Sequence, residues 1–207
     1  ASDWETHVWL DGKEIGSHQG GYTPFECEMK DVKFGETQKI VIKADDTSSD
    51  AHLYGKQGYG NARGIWQTVY LEARGENFIR SLHFSPDIDN SLVHVDVAFN
   101  APAAEGEVFK LAFKTGGQDT FTSPVSGKDK AGFDIKIKDQ HLWDIDDPFL
   151  YEVTASLGDE DSVDSYFGQR KISVMPFPGE DYNYVSLNNK PLYLQLCLDQ
   201  SYHPDGF

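Results

Sequence analysis

Side chains alternate between two faces along the first ten residues. One face carries Trp4, Thr6, Val8 and Leu10, and the opposite face carries Glu5, His7 and Trp9. A period of two is typical of a half-buried β-strand. The Asp11-Gly12 pair that follows predicts a tight hairpin turn, because both positions tolerate positive φ. The same reasoning predicts strands at Lys39–Ala44 and Ile65–Ala73, with a polar, glycine-rich loop between them.

The alternation resumes after residue 76 and continues through Val174. Its apolar positions mark about seven strands at the spacing of an immunoglobulin-like β-sandwich. The predicted strands are Ile79–Ser85, Val93–Phe99, Phe109–Lys114, Thr120–Val125, Phe133–Lys138, Tyr151–Leu157 and Val163–Val174. Neither cysteine lies in this region, so we expect no antibody-type disulfide. Because no segment has a helical period of useful length, the predicted fold class is all-β.

The last part of the chain has a different pattern. A proline-rich break at Met175–Gly179 precedes a turn at Asn188-Asn189 and a nearly continuous apolar run, Leu192–Leu198. Such a run suits a strand that is buried on both faces, as in a parallel barrel. We therefore predict three regions: residues 1–76, residues 77–175 with the sandwich, and residues 176–207 with a linker and one barrel strand.

Composition narrows the classes of partner. The formal net charge is −16 and the pI is near 4.6, so the surface repels phosphate backbones and anionic lipids. We therefore expect neither nucleic acid nor membranes as partners. The acidic clusters lack calcium-loop spacing, and no phosphate loop, dinucleotide fingerprint or zinc spacing occurs, so no metal or cofactor is predicted. Cys27 and Cys197 are expected to be free thiols.

Several segments occur in an order that characterises one enzyme family. They are Trp4–Lys13, Gly20–Phe25, Arg63–Glu72, Leu150–Tyr151, Phe167–Ile172 and Leu187–Leu194. Together they resemble the sugar-binding domain, the immunoglobulin-like domain and the first barrel strand of family-two glycoside hydrolases. That family holds β-galactosidases, β-glucuronidases and β-mannosidases. The resemblance implies that residues 1–76 are the C-terminal part of a jelly-roll domain. Trp4 and Trp66 occupy alternating strand positions, which predicts that they lie in the core of this domain.

The resemblance also implies how the chain relates to catalysis. Members of this family hydrolyse β-linked O-glycosyl bonds with retention, using two glutamates on barrel strands that lie beyond the position of Phe207. We therefore predict a fragment of a β-galactosidase-like enzyme that has no catalytic residue of its own and no activity alone. The alternative is a stand-alone carbohydrate-binding or adhesion module. Exposed edges of a partial first domain predict a homodimer.

Residues after the first barrel strand are the first candidates for sugar contact in the full-length enzyme, because that end of the barrel lines the active-site mouth. They are Asp199, Gln200, Tyr202 and His203. The family's familiar pattern here is Gly-Val-Asn followed by a His-Glu pair, whereas this chain has Leu196–Gln200 in that place. At this position the chain therefore differs from the pattern of the galactosidases, but it still resembles the family.

The loop before Gly64 holds the second candidates. Gln57 can hydrogen-bond a sugar hydroxyl, and Tyr59 can stack on a sugar ring. For both groups of residues, a purely structural role in shaping a loop is the alternative.

Overall fold

Residues 1–47, 64–159 and 161–198 are described by a computed structural model. Every regular element in these residues is a β-strand, which confirms the predicted all-β fold class. The described residues form two compact units, one within Ala1–Leu71 together with Leu196–Leu198 and the other within Glu72–Gln195. The finer division into residues 1–76, 77–175 and 176–207 stays a prediction.

The first unit contains two antiparallel sheets. Its described strands are β1 (Ser2–Asp3), β2 (Glu5–Leu10), β3 (Lys13–Gln19), β4 (Ile40–Asp45) and β5 (Gly64–Ile65). β2 is the central strand between β3 and β4, and β1 pairs with β5. Asp11 and Gly12 have φ values of 48° and 82°, so β2 and β3 are joined by the predicted hairpin turn.

From Glu5 to Leu10 the alternation sorts the side chains as predicted, whereas Trp4, predicted to lie on the buried face and in the core, precedes β2 and is half-buried. The face with Thr6, Val8 and Leu10 is buried, and the face with Glu5, His7 and Trp9 is half-buried. Asp11 holds β4 to the hairpin, because its N–H donates to the Lys39 carbonyl at 2.8 Å and its carboxylate accepts from the Lys39 N–H at 2.8 Å. The hairpin and β4 therefore form one layer.

The predicted strand Ile65–Ala73 forms only at its start. β5 ends at Ile65, and Val69, Tyr70 and Leu71 are exposed. A strand needs a hydrogen-bonded neighbour along its length, and the strand paired with β5 has only two residues. Alternation along the chain does not show how long the paired strand is, so the strand predicted from the sequence is too long.

The second unit contains a β-sandwich of seven strands. They are β6 (Ile79–Asp87), β7 (Leu92–Phe99), β8 (Val108–Phe113), β9 (Phe121–Pro124), β10 (Lys130–Lys136), β11 (Tyr151–Leu157) and β12 (Asp161–Phe167). One sheet has the order β10-β7-β6 and the other the order β12-β11-β8-β9, and all pairs are antiparallel. Three strands against four is the arrangement of an immunoglobulin-like sandwich, as predicted.

Inward-facing residues of both sheets build the sandwich core. Val95 of β7, Leu111 of β8 and Tyr151 of β11 are fully buried. Burial of such an aliphatic side chain contributes about 1.5–3 kcal/mol. Tyr151 stacks on Phe167 with 5.0 Å between ring centroids, and its hydroxyl accepts a hydrogen bond from the His141 N–H at 2.8 Å. The buried tyrosine thus has a partner for its polar end.

Gly116 brings the loop after β8 against this tyrosine. Its φ is 77°, and a Cβ at this position would lie 2.3 Å from Cε1 of Tyr151. Gly117 also has positive φ, 60°, but a Cβ there would meet no atom within 4 Å. The backbone requires glycine-like freedom at both positions, whereas the packing excludes a side chain only at Gly116.

A third antiparallel sheet follows the sandwich. It consists of β13 (Ile172–Pro176), β14 (Asn183–Leu187) and β15 (Lys190–Pro191). The predicted strand Val163–Val174 is therefore split into β12 and β13. The break follows from two neighbours: a Cβ on Gly168 would lie 3.2 Å from the Trp143 side chain, and fully buried Gln169 donates from Nε2 to the Leu92 carbonyl at 3.0 Å.

The predicted turn at Asn188-Asn189 joins β14 to β15, with φ values of 49° and 64°. Asn188 is nearly buried, and its Nδ2 donates to the Trp143 carbonyl at 2.9 Å while its Oδ1 accepts from the Lys171 N–H at 3.0 Å. Nδ2 of Asn189 donates to Asp89 at 2.7 Å. These hydrogen bonds attach the third sheet to loops of the sandwich.

The apolar run Leu192–Leu198 has no strand pairing within the described residues. The side chains of Tyr193 and Leu196 are 78% and 82% exposed. Burial of a strand on both faces requires neighbouring strands and covering layers. Leu192 donates its N–H to the Val185 carbonyl of β14 at 3.0 Å, but the described residues show no strand pairing for Tyr193–Leu198. The barrel strand therefore stays a prediction.

Candidate functional site

The residues predicted to contact sugar lie outside the described residues. This holds for Gln57 and Tyr59 in the glycine-rich loop, and for Asp199, Gln200, Tyr202 and His203 at the end of the chain. The described residues next to the glycine-rich loop are Asp45–Thr47 before it and Gly64–Trp66 after it.

Asp45, at the end of β4, fixes the backbone that enters this loop. Its Oδ1 accepts hydrogen bonds from the N–H of Thr47 at 3.0 Å and from the hydroxyl of Thr47 at 2.5 Å, and Lys43 lies 3.0 Å from its Oδ2. The Thr47 hydroxyl first, and then Lys43, lower the pKa of this carboxyl well below its usual range. The carboxylate therefore stays ionised at neutral pH and caps the loop entrance.

Trp66 marks the point where the chain leaves the loop. Gly64, with φ 77°, pairs with Asp3 of β1. The indole N–H of Trp66 donates to the Gly21 carbonyl at 2.7 Å, and Tyr22 meets the indole edge-on with 5.9 Å between ring centroids. Trp66, predicted to lie in the core, is half-buried and ties the loop exit to the Gly20–Phe25 segment.

His94 lies between two carboxylates on the outer face of the β10-β7-β6 sheet of the sandwich. Its Nδ1 lies 2.7 Å from Asp134, which is directly opposite on β10, and its Nε2 lies 3.3 Å from Asp96. The hydrogen bond with Asp134, and to a lesser degree that with Asp96, raises the pKa of His94. A cross-strand charge pair of this kind stabilises a sheet modestly.

Exposed aspartates of the sandwich make hydrogen bonds or ion pairs with neighbouring groups. Asp87 bonds to Asn90, and Asp164 bonds to Thr154 and Lys114. In residues 1–47, 64–159 and 161–198, no three His, Cys, Asp or Glu side chains are grouped so that they could hold a metal ion. The same residues contain no helix long and apolar enough to cross a membrane.

The outward face of β2 carries a cluster of polar and aromatic side chains. There His7 stacks beside Trp9 with 5.7 Å between ring centroids, and its ring nitrogens meet Glu14 and Glu5. Alternation placed Glu5, His7 and Trp9 on one face, but the pairing with Glu14 depends on the β2–β3 register. Residue spacing alone could therefore have found part of this cluster.

Comparison with known proteins shows which proteins this chain is similar to. A sequence model described as "Glycosyl hydrolases family 2" matches residues 77–170, the region of the seven-stranded sandwich. A β-galactosidase of Thermoanaerobacter pseudethanolicus is 24% identical over 91% of this chain and 27% of its own length. A β-glucuronidase of Bacteroides fragilis is 28% identical over 93% of this chain and 30% of its own length.

A solved structure supports the same relationship. The crystal structure of a family 2 β-galacturonidase from Eisenbergiella tayi, bound to glycerol, superposes with a TM-score of 0.68 and 25% identity over 92% of this chain and 34% of that protein. This chain thus spans only 27% and 30% of the two curated relatives. Residues 77–170, the segment of the seven-stranded sandwich, match the model of the family 2 glycosyl hydrolases.

Proposed function

We propose that the chain supplies accessory β-domains of a retaining β-glycosidase that hydrolyses O-glycosyl bonds. The observation that carries this proposal is the match of the sandwich, residues 77–170, to family 2 glycosyl hydrolases. The relatives are named for β-galactosidase and β-glucuronidase activity. Since the chain spans about a quarter of the first relative's length, the activity is proposed for the whole protein rather than for these residues.

By itself, the 207-residue chain is proposed to be inactive. Retaining hydrolysis requires two carboxyl groups about 5–5.5 Å apart, one as nucleophile and one as acid/base. The family resemblance implies that both glutamates lie outside this sequence. The test compares the purified chain with the full-length gene product on nitrophenyl β-galactoside and nitrophenyl β-glucuronide. We expect turnover only by the full-length protein, and robust turnover by the chain would overturn the proposal.

In the full-length enzyme, the proposed sugar contacts are the residues that the family resemblance points to. Asp199 and Gln200 directly follow the predicted barrel strand, and Gln57 and Tyr59 belong to the loop before β5. The stand-alone binding module is the rival function. If the gene continues into alternating strands and helices that carry an Asn-Glu pair, the enzyme is supported, whereas a gene that stops after Phe207 supports the module.

We also propose that the chain self-associates through an exposed sheet edge. β13 is an edge strand of its sheet, and Ile172 and Val174 on one of its faces are 70% and 69% exposed. Exposed apolar edge strands are templates for pairing with another chain. A second copy of the chain would cover these side chains.

A further inference from the structure

A β-bulge places an arginine on the outer face of the β10-β7-β6 sheet. Ile79 pairs with Phe99 and Ser81 pairs with Ala98, so Arg80 is an extra residue in β6 that has no partner in β7. Ile79 is buried in the core, whereas Arg80 and Ser81 are both exposed and line the same groove. Two consecutive residues therefore face the same side of the sheet. Bulges redirect side chains in this way and are frequent beside functional sites.

A lysine lies across the sheet from this arginine. Ser81, Ala98 and Lys130 are directly opposite one another on β6, β7 and β10. Because neighbouring strands are about 4.8 Å apart, the backbones at Ser81 and Lys130 are separated by roughly 10 Å. Ala98, between them, has only a methyl group. Arg80 and Lys130 thus line an open groove of about 490 Å³ over this alanine.

The groove combines cations with neutral hydrogen-bond donors. Its lining residues include two cations, Arg80 and Lys130, and one carboxylate, Asp129. Ser81 and Asn100 also line it, and their hydroxyl and amide groups can donate to an oxygen. The formal net charge of the whole chain is −16. The groove is therefore a locally positive place on an acidic protein, whose remaining surface repels anions.

Neither cation is neutralised by a carboxylate in the part of the chain that the structure describes. Lys114, by contrast, lies 2.7 Å from the carboxylate of Asp164. Among the described residues, Arg80 and Lys130 form neither an ion pair nor a side-chain hydrogen bond, so their donor hydrogens can bind a ligand. The guanidinium presents a planar fork that matches two oxygens of a carboxylate or phosphate, and the ammonium group binds such an anion as a point charge.

We infer that Arg80 and Lys130, with Ser81 and Asn100, form a binding site for a small molecule that carries two anionic groups, carboxylates or phosphates. One anionic group meets the guanidinium of Arg80 and the other meets the ammonium group of Lys130. A neutral molecule gains neither of these charge-assisted hydrogen bonds. The site uses none of the predicted sugar contacts and no catalytic glutamate. It therefore goes beyond the proposed glycosidase role, and either one can fail without the other.

The test is a titration of the isotope-labelled 207-residue chain with citrate, inorganic pyrophosphate and glycerol, followed by NMR through the backbone N–H signals of Ser81, Ala98 and Lys130. The ionic strength is held constant so that general screening does not change. Citrate carries carboxylates and pyrophosphate carries phosphates, so the two anions show which group the site prefers. We expect saturable shifts with at least one anion and none with glycerol.

Substitution of either cation should weaken the binding of the anion. Arg80→Gln and Lys130→Gln are each expected to raise its Kd at least about tenfold, because charge-assisted hydrogen bonds are lost. Arg80→Lys keeps the charge but loses the fork, so its effect should be smaller. Lys110→Gln is the matched control, since it removes the same charge from an exposed position of β8 in the other sheet. It should leave the Kd unchanged.

Asp129→Asn tests the sign of the charge effect. It removes the carboxylate that lines the groove, so anion binding should become about two- to fivefold tighter. A folding defect would not tighten binding, and urea midpoints of all variants check that they fold. Absence of saturable shifts with both anions, equal losses in Arg80→Gln and Lys110→Gln, or unchanged binding in Asp129→Asn would overturn the inference.

Discussion

Asn188 and Trp143 are 45 residues apart, yet the side-chain amide of Asn188 donates a hydrogen bond to the Trp143 carbonyl at 2.9 Å. The same asparagine accepts from the Lys171 N–H at 3.0 Å. It is nearly buried, so neither bond is readily replaced by water. One side chain thus connects the loop before β11, the start of β13 and the β14–β15 turn.

Asn188→Gly should destabilise the second unit by about 2–3 kcal/mol, because two buried hydrogen bonds are lost while glycine keeps the positive φ. The measurement is urea unfolding followed by tryptophan fluorescence. The matched control is Asn189→Gly, which also keeps positive φ but loses only an exposed bond to Asp89, and about 1 kcal/mol or less is expected there. Equal losses in the two variants would contradict the role of Asn188.

Gly116→Ala should destabilise the sandwich more than Gly117→Ala. Both variants place a side chain at positive φ, which costs about 1 kcal/mol. At Gly116 the added Cβ would also meet the ring of fully buried Tyr151, so a further loss of about 1–3 kcal/mol from overpacking is expected. The difference between the two urea midpoints isolates this contact, and the absence of a difference would refute it.

Stability is expected to fall as the pH rises through the pKa of His94. Hydrogen bonding to Asp134 and then Asp96 raises this pKa above its ordinary value of 6.5, so the folded state binds the proton more tightly than the unfolded state. The added stability is fully present below pH 6.5 and is lost as the pH rises through the folded-state pKa.

The Asp134→Asn variant tests this linkage. The His94 titration followed by NMR should shift to lower pH, and the decrease of the urea midpoint above pH 6.5 should become shallower. Asp129→Asn removes an exposed carboxylate just before β10 and serves as the control for net charge. A His94 titration that is unchanged by Asp134→Asn would argue against the contact.

Val174→Lys should abolish the proposed self-association through β13. A charge on an exposed edge strand opposes pairing with another chain, so the mass measured by light scattering should fall from that of a dimer to that of a monomer. Ile145→Lys, at another exposed apolar position, is the control and should leave the dimer intact. A monomeric unmodified chain at high concentration would disprove self-association.

Gln57→Ala in the full-length enzyme should lower kcat/KM about tenfold, the effect of losing one hydrogen bond worth about 1.4 kcal/mol in the transition state. Gln67→Ala removes an exposed glutamine that is not among the proposed sugar contacts, and it should leave kcat/KM unchanged. Unchanged kcat/KM in Gln57→Ala would remove Gln57 from the proposed site.

Alternation predicted the β-strands well where each strand has neighbours along its whole length. Val93–Phe99 and Tyr151–Leu157 are central strands of their sheets, so one face of each is buried as its pattern requires. Ile65–Ala73 has the same pattern, but its partner β1 is only two residues long. The alternating pattern shows that one face of a segment can be buried. Whether that face is buried depends on the neighbouring strands in the fold.

The spacing of residues along the chain could not predict contacts between distant segments. The hydrogen bonds of Asn188 to Trp143, and of His94 to Asp134, require the register of strands that lie far apart in the chain. The turn at Asn188-Asn189 was predictable because its cause is local, namely the tolerance of asparagine for positive φ. The sugar contacts at Gln57 and Asp199 came from family resemblance and stay predictions.

The two sheets of the sandwich meet through packed side chains such as Phe109 of β8 and Phe133 of β10, whose rings stack with 5.4 Å between centroids, and both cysteines lie elsewhere in the sequence. Its folding is therefore independent of thiol oxidation. Heat denaturation should give the same transition temperature with and without dithiothreitol, and the domain can be transplanted into a host protein regardless of the redox potential of its surroundings.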